Sequence, residues 1–405
     1  MAYSDPGRRR TVLISGAGVA GPTLAYWLLR AGLTPVLVER AAAPRTGGYM
    51  IDFWGVGFEV AERMGLAPRL KKVGQRIQEV RLVSAAGRTA ARLPFDAFSG
   101  LLGERYVSLL RGDLAGELLR LVSDRIETRF GDEIVGLQQG EHGVDVMFRR
   151  GPPARFDFVV GADGLHSNVR RLAMPDTAVA ETPLGYYVAS FTAHGYPHND
   201  LLAYVSRTTP GRQVARYALG DGRTAIFMVL AAELGRGREL DTPEAQRRFL
   251  AEAFAKIGWE AADIIAALAR ADDLYFDTVA QVRLPRWSDG RVALVGDAAF
   301  CPSLLAGEGA AFAMAGAMVI AGELADAGGA HRPAFERYEH RLRAFIERKQ
   351  GAARRMGAWF VPRTALGVFV RDQLTRLTSL PGLSSLIAGP MIRDDLALPR
   401  YDWLS

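Results

Sequence analysis

The chain has 405 residues, 49% hydrophobic and 23% charged, which is typical of a globular protein long enough for two or more domains. The formal net charge is +6, but only four of the 50 basic residues are lysines and the arginines are scattered, which argues against a nucleic-acid-binding surface. Its one cysteine, Cys301, excludes an intrachain disulfide and a thiolate metal cluster. Because we find neither a signal-peptide core nor an apolar run of membrane-spanning length, we expect a cytoplasmic protein with no metal and no membrane segment.

The first predicted elements are a strand, a glycine-rich turn, a helix and a second strand. The apolar run from 11 to 15 is typical of a buried strand, and 22 to 31 is predicted to be helical. A second strand follows from 35 to 38 and ends at Glu39. This order is typical of the first half of a doubly wound sheet.

Three glycines between the first strand and the helix have G-x-G-x-x-G spacing. Gly16 permits a tight turn, Gly18 lets the backbone approach a pyrophosphate, and Gly21 lets the helix pack closely on the strand. The phosphates would bind at the positive end of the helix. Glu39, 18 residues after the last glycine, is placed to accept a hydrogen bond from a ribose hydroxyl. The pattern therefore predicts a dinucleotide site.

Arginines follow two of the predicted strands. Arg40 and Arg45 come after the second strand, and either contact with an adenosine or ribose group or plain solvation accounts for them. Arg111 ends a strand that begins at Tyr106, and a helix with Asp113 in its first turn follows. We expect Arg111 to point into the same crevice as the glycine turn, with a structural ion pair as the alternative.

Two further strands deliver an acid and a glycine to the same sheet edge. The strand from 156 to 161 leads to Asp163 and Gly164, and the strand from 291 to 295 leads to Gly296 and Asp297. His166, close to the first of these pairs, is more typical of a surface or capping histidine than of a catalytic base.

The segment from 175 to 280 is strand-rich, and its alternation predicts an antiparallel sheet with one face free to cover a ligand. Residues 76 to 97 are predicted to add two strands around a turn at Ala86-Gly87. Apolar and aromatic side chains of this sheet are candidates for a substrate pocket, although each by itself is more typical of a core residue. They are Tyr186, Phe191, Tyr204, Tyr217, Phe227, Met228 and Phe276.

Helices are predicted from 310 to 325, which is apolar, and from 333 to 356, which is charge-patterned. Together the motifs resemble those of the single-component, FAD-dependent aromatic hydroxylases. This p-hydroxybenzoate hydroxylase-like family includes tetracycline-modifying and polyketide-tailoring monooxygenases. The resemblance covers about residues 10 to 350. It rests on the glycine turn with Glu39, on Asp163-Gly164 with Ser167 and Arg170, and on Gly296-Asp297-Ala-Ala.

The resemblance implies FAD as cofactor and NADPH or NADH as a transiently bound reductant. In such families the glycine turn and the glutamate hold the ADP half of FAD, and the Gly-Asp aspartate contacts the ribityl or pyrophosphate region. The Asp-Gly motif is linked to FAD and to the nicotinamide cofactor, and an arginine matching Arg111 contacts the flavin. The residues expected to bind the cofactor are Gly16, Gly18, Ala20, Gly21, Glu39, Arg40, Arg111, Asp163, Asp297, Gly307, Gly309 and Ala310.

The resemblance also implies an α/β fold, in which a Rossmann-like FAD-binding domain carries an inserted antiparallel-sheet substrate domain and a C-terminal helical segment. The expected FAD-binding domain is discontinuous and consists of 1–75, 105–174 and 280–332. The expected substrate domain consists of 76–104 and 175–279, and the helical segment of 333–405. We expect a monomer or a homodimer.

The implied activity is hydroxylation or epoxidation of a bulky, largely apolar, aromatic or polyketide-like natural product. In this family NAD(P)H reduces the flavin, O2 forms a flavin C4a-hydroperoxide, and its terminal oxygen is transferred to an activated carbon of the substrate. The cofactor carries the chemistry, so no catalytic acid or base is assigned. Two alternatives stay open: a flavin-bound cyclase or isomerase without net redox chemistry, and a flavin-binding module that is not an enzyme.

Several positions beside the expected flavin site depart from the family pattern. Phe300 stands where histidine is common, and Leu304 where proline is common. Glu308 replaces a frequent neutral residue, and Ala311 and Gly316 stand where Asn and Asp often occur. A Glu308 carboxylate near the flavin would disfavour its anionic reduced form or steer a basic substrate, and a solvent-facing Glu308 is the alternative. The departures put efficient oxygen transfer in question.

Overall fold

The described residues form four sheets, and the two largest are a six-stranded, mostly parallel sheet and a seven-stranded, mostly antiparallel sheet. The computed structural model describes residues 9–44, 47–94, 103–177, 180–198, 200–220, 222–377 and 395–402. Its strands, in chain order, are β1 (Thr11–Ser15), β2 (Thr34–Glu39), β3 (Met50–Trp54), β4 (Glu79–Val83), β5 (Thr89–Pro94), β6 (Tyr106–Leu110), β7 (Glu127–Phe130), β8 (Ile134–Gly140), β9 (Gly143–Phe148), β10 (Ala154–Phe156), β11 (Phe158–Gly161), β12 (Glu181–His194), β13 (Ala203–Thr209), β14 (Arg212–Gly220), β15 (Arg223–Ala231), β16 (Tyr275–Val282), β17 (Ser288–Asp289) and β18 (Val292–Leu294).

The α-helices pack against the parallel sheet, cover one face of the larger sheet and make up most of the described C-terminal part. They are α1 (Ala20–Arg30), α2 (Gly55–Arg63), α3 (Ala67–Val73), α4 (Arg111–Arg120), α5 (Asn168–Ala173), α6 (Pro243–Phe254), α7 (Ala261–Arg270), α8 (Asp297–Phe300), α9 (Gly309–Asp326), α10 (His331–Phe360) and α11 (Ala365–Leu377). The mixed α/β fold predicted from the sequence is confirmed.

The parallel sheet has the spatial order β17-β18-β11-β1-β2-β7, with only β17 antiparallel, at the edge. Its central strand is apolar because both faces are covered, and Val12, Leu13 and Ile14 have no exposed surface. The carboxyl ends of β1, β2 and β11 meet at one edge, beside the turn that leads from β1 into α1. This is the edge at which an open α/β sheet binds its ligand.

The larger sheet has the order β16-β12-β15-β14-β13-β4-β5. Residues alternate between its faces, so Phe191 and Met228 lie on the face covered by α6 and α7, where both are fully buried. We therefore correct their assignment from the substrate pocket to the core. Helix α7 was not predicted, although Ile264 and Leu268 form its buried face.

The other face of the larger sheet carries four of the five remaining pocket candidates. Tyr204 pairs with Tyr217, and strand register places Phe227 and Tyr186 on the same face as these two. Phe276, in contrast, stacks on Tyr187 on the helix-covered side, with ring centroids 5.4 Å apart. Period-2 alternation thus separates ligand candidates from core residues once the register is known.

The helix α9 contacts α1, α2 and α10. By length and composition it could cross a membrane, but 78% of it is buried inside the protein. A helix that is apolar on all sides is expected in the core of a large domain. The division into domains stays a prediction. Strand β16 extends to Val282, past the boundary that was predicted at 279.

Candidate functional site

A cleft of about 610 Å³ lies at the carboxyl ends of β1, β2 and β11. Six predicted cofactor residues line it: Gly16, Gly18, Glu39, Arg40, Arg111 and Asp163. The other six lie outside this lining, Ala20 and Gly21 in the first turn of α1, and Asp297, Gly307, Gly309 and Ala310 around the starts of α8 and α9. Side chains that sequence analysis did not propose also line the cleft, namely Tyr49, His166 and Tyr275.

The three glycines of the turn have different steric surroundings. A Cβ at Gly16, where φ is +108°, would lie 2.5 Å from the carbonyl oxygen of Ala162, and a Cβ at Gly21 would lie 1.9 Å from the Gly16 carbonyl oxygen. A Cβ at Gly18 would meet only Arg111 Nη2, at 3.7 Å. Gly16 and Gly21 are therefore required by the fold itself, whereas Gly18 leaves open space toward the cleft.

Glu39 ends β2 with its carboxylate held by the backbone. The Ala17 amide donates to Oε2 at 2.8 Å, and the Ala41 amide donates to Oε1 at 2.9 Å. Each oxygen keeps a further lone pair for a ribose hydroxyl. Arg40 also lines the cleft. Arg45 lies outside the described residues.

Positive electrostatic features face the cleft. Helix α1 follows Val19 without a side-chain cap, which leaves its first amides for an anion. Arg111, the first residue of α4, forms no ion pair or side-chain hydrogen bond with the described residues. Its charge interacts with Tyr49 and Asp297, which raise the pKa of Arg111, while burial lowers it. Burial raises the pKa of Tyr49 to about 12, so this phenol is neutral.

Asp163 lines the cleft, but its carboxylate caps a helix. It accepts hydrogen bonds from Ser167 Oγ at 2.5 Å and from the backbone amides of Asn168 at 2.9 Å and Val169 at 3.0 Å. Burial raises the pKa of Asp163, whereas these hydrogen-bond donors lower it. The geometry gives Asp163 a part in shaping the turn after β11, and its contact with a cofactor stays a prediction.

Asp297 begins α8 directly after Gly296, where φ is +65°. A Cβ at Gly309 would lie 3.5 Å from Asp297 Oδ1, so the starts of α8 and α9 are adjacent. Gly307 adopts the left-handed conformation and ends the turn between them. The motifs around residues 297 and 309, far from β1 in sequence, thus meet beside Arg111, whose pKa responds to Asp297.

Glu308, the residue before α9, forms an ion pair with Lys349 of α10. Both side chains are only 13% exposed, and the Lys349 ammonium lies 5.7 Å from the Phe312 ring centroid and 5.6 Å from that of Phe345. Glu308 is therefore neither solvent-facing nor a lone carboxylate, because a buried cation compensates its charge.

Two of the departures from the family pattern compensate each other sterically. Phe300 is buried, with its ring centroid 4.7 Å from that of Trp287. A Cβ at Gly316 would lie 3.0 Å from Phe300 Cζ, so the glycine makes room for the ring. Ala311 is likewise packed against Gly57, where an added Cβ would lie 2.6 Å from the Ala311 Cβ. Core packing accounts for these three small or apolar residues.

His166 belongs to a charged network at the cleft. Its Nδ1 lies 2.8 Å from a Glu181 oxygen and its Nε2 lies 3.1 Å from Asp277 Oδ1. The hydrogen bond with Asp277 is the largest cause that raises the pKa of His166, to about 9. The Tyr275 hydroxyl donates to Asp277 Oδ2 at 3.1 Å. This cationic histidine was not predicted from the sequence, because its partners lie on strands of the larger sheet, up to 111 residues away along the chain.

Aromatic side chains border the cleft where it meets the larger sheet. The ring centroid of Tyr49 lies 5.7 Å from that of Tyr275 and 6.5 Å from that of Phe227. Phe227 in turn lies 6.3 Å from Phe360 of α10. Tyr49, Phe227 and Tyr275 therefore form one aromatic wall beside Arg111, although they come from three segments that are far apart in sequence.

Comparisons with known proteins agree with this geometry. A family model described as an FAD binding domain matches residues 9–351. The chain is 32% identical over 403 residues to a flavin-dependent monooxygenase of Legionella longbeachae serogroup 1 (strain NSW150), across 96% of this chain and 98% of that protein. It is 30% identical over 382 residues to the FAD-dependent monooxygenase asL6 of Sarocladium schorii, across 88% and 90% of the two proteins.

The fold is similar to that of the tetracycline destructase Tet(51), with a TM-score of 0.82 and 30% identity. The similarity covers 97% of this chain and all of that one. The relatives thus match nearly the full chain and not only the glycine turn. The chain belongs to the FAD binding domain family and is a flavin-dependent monooxygenase.

Proposed function

We propose that the protein uses NADPH or NADH and O2 to hydroxylate or epoxidise a bulky, largely apolar, polyketide-like small molecule. The observation that carries the proposal is the Arg111 guanidinium, which is enclosed at the cleft without an ion-pair partner among the described residues. The side chain is half-buried, and its guanidinium lies at the cleft beside Gly18, where its donors suit a ligand that offers hydrogen-bond acceptors. A flavin ring presents such acceptors.

The residues at the cleft fit FAD. Glu39 is aligned by two backbone amides for the ribose hydroxyls, and the uncapped start of α1 is suited to the pyrophosphate beside the open space at Gly18. Arg111 would contact the flavin, with Asp297 close by. When bound, FAD supplies the redox chemistry that joins NAD(P)H, O2 and substrate.

The protein's own contribution is to bind, orient and exclude water. The aromatic wall of Tyr49, Tyr275 and Phe227 would place an aromatic ring beside Arg111. The similarity to a tetracycline destructase and to a fungal FAD-dependent monooxygenase supports a polycyclic or polyketide-like substrate. Tyr186 and Phe227 share one apolar cluster on the cleft-facing side of the sheet.

The test is NAD(P)H consumption by the purified, FAD-loaded protein. We expect O2-dependent oxidation of NADPH or NADH, stimulated by an aromatic polyketide whose product gains one oxygen atom. Arg111→Met is expected to weaken FAD binding roughly ten- to hundredfold, the value of a hydrogen bond to a charged group. Arg155→Met is the control, because Arg155 pairs with Asp145 at an exposed site.

Other outcomes would favour the alternatives. Product formation without flavin reduction would point to a cyclase or isomerase that uses the cleft as a template. Tight FAD binding with neither NAD(P)H oxidation nor any product would point to a non-enzymatic flavin-binding module.

A further inference from the structure

A carboxylate that was not singled out from the sequence, Asp52, lies on strand β3, which directly follows Tyr49 of the aromatic wall. Asp52 Oδ1 accepts hydrogen bonds from Tyr106 Oη at 2.6 Å and from Ser108 Oγ at 2.5 Å. The two hydroxyl oxygens are themselves 2.6 Å apart. The described residues therefore saturate one oxygen of Asp52 with donors from the neighbouring strand β6.

The second carboxylate oxygen of Asp52, Oδ2, differs from the first in its hydrogen bonding. Asp52 Oδ2 accepts no hydrogen bond from a described residue. It is also not fully buried, so it stays accessible to a ligand. The side chain is half-buried, and burial raises its pKa although the two hydroxyl donors lower it. An enclosed carboxylate with one satisfied and one open oxygen is suited to accept a hydrogen bond from a ligand.

The location of Asp52 matches the proposed substrate space. Asp52 pairs with Ser108 of β6. Ser108 precedes Arg111 by three residues, which is about 10 Å along an extended strand. The pKa values of Tyr204 and Tyr217 are raised mainly by the burial of these two tyrosines and, second, by the charge of Asp52. The Asp52 carboxylate is therefore within electrostatic reach of the larger sheet. Asp52 thus lies on the strand pair β3–β6, whose strand β6 leads into Arg111, and within electrostatic reach of the sheet face that carries the pocket candidates.

We propose that Asp52 is a specificity-determining residue whose Oδ2 accepts a hydrogen bond from a hydroxyl group of the substrate. The inference rests on the proposed function, since it names the chemistry by which the same pocket selects its ligand. A phenol or an enol satisfies the open carboxylate oxygen. An O-methylated ligand of the same shape leaves that oxygen desolvated and unpaired, which a site built for a hydroxyl group rejects.

The experiment compares 2-naphthol with 2-methoxynaphthalene, measured by calorimetry on the FAD-loaded protein without NAD(P)H. We expect the wild-type protein to bind 2-naphthol roughly ten- to hundredfold more tightly. Asp52→Asn should abolish or invert this preference. Its amide oxygen still accepts from Tyr106 and Ser108, while its NH2 group presents a donor to the ether oxygen. Asp145→Asn makes the same chemical change at an exposed site and should keep the wild-type preference.

A structural role for Asp52 would change the melting temperature or the FAD affinity of Asp52→Asn but leave the naphthol-to-ether ratio unchanged. That result would overturn the proposal, as would a wild-type protein that binds neither probe or does not discriminate between them. The measurement needs no turnover, so failure of NAD(P)H oxidation with the selectivity intact would refute only the proposed function.

Discussion

Lys349 of α10 forms an ion pair with Glu308, and this pair fastens the start of α9 to the longest helix described in the structure. Both side chains are nearly buried, and the ammonium lies against two phenylalanine rings. The pair therefore keeps an unusual carboxylate neutralised beside the site proposed for the flavin, and it links cofactor binding to the C-terminal helices.

Replacing Lys349 should lower the stability of the protein, because the Glu308 carboxylate is nearly buried. Lys349→Met removes the ammonium that pairs with the Glu308 carboxylate, so we expect a loss of roughly 3 kcal/mol in the free energy of unfolding. A more negative flavin midpoint potential should accompany it. Denaturant unfolding and redox titration measure the two effects. The double variant Glu308→Gln/Lys349→Met should recover most of both losses; if it does not, the pair is not their cause.

Substitution by alanine should affect different properties at two glycines of the same turn, FAD binding at Gly18 and stability at Gly21. Gly18→Ala adds a Cβ in ordinary contact with Arg111, so the protein should fold but bind FAD at least tenfold more weakly. Gly21→Ala forces a Cβ to within 1.9 Å of a backbone oxygen and should lower the free energy of unfolding by more than about 3 kcal/mol. Thermal melts and flavin fluorescence titrations separate the effects. Equal stability of the two variants would contradict the assigned roles.

His166 should make stability depend on pH in the alkaline range. Its folded-state pKa of about 9 lies above the ordinary value of 6.5, so its contribution is complete below about pH 6.5 and is lost as the pH rises through 9. Since the side chain is 54% exposed, screening limits the contribution to about 1 kcal/mol or less.

The measurement is the difference in unfolding free energy between wild type and His166→Gln at pH 6 and at pH 10. The wild-type advantage should be present at the lower pH and absent at the higher one. An advantage that grows with pH would show that the histidine is buried neutral.

Phe300 and Gly316 should behave as a coupled pair. Gly316→Ala places a Cβ 3.0 Å from the Phe300 ring, so it should cost about 1–3 kcal/mol of stability in the wild type. In a Phe300→Leu background, the smaller side chain leaves room and the same change should cost less. A double-mutant cycle by denaturant unfolding measures the coupling. Additive effects would show that the two residues do not compensate each other.

Local sequence determined the elements that lie near one another along the chain. The G-x-G-x-x-G turn with its flanking strands and Glu39 was predictable, because strand, turn and helix follow from residue type and period within some 30 residues. The motifs at 163 and 297 were predictable for the same reason, as were most strands of the larger sheet, although β16 was not predicted. Their order along the chain was enough to indicate the family.

Tertiary structure alone decided which side chains face the ligand. Alternation does not say which face of a strand is covered, so Phe191 and Met228 seemed equivalent to Phe227 until helices α6 and α7 covered one side. The partners of His166 and Glu308 lie up to 111 residues away, and Asp52 becomes notable only when β6 brings two hydroxyls to one of its oxygens. Contacts of this kind depend on how the sheets meet, which no short stretch of sequence encodes.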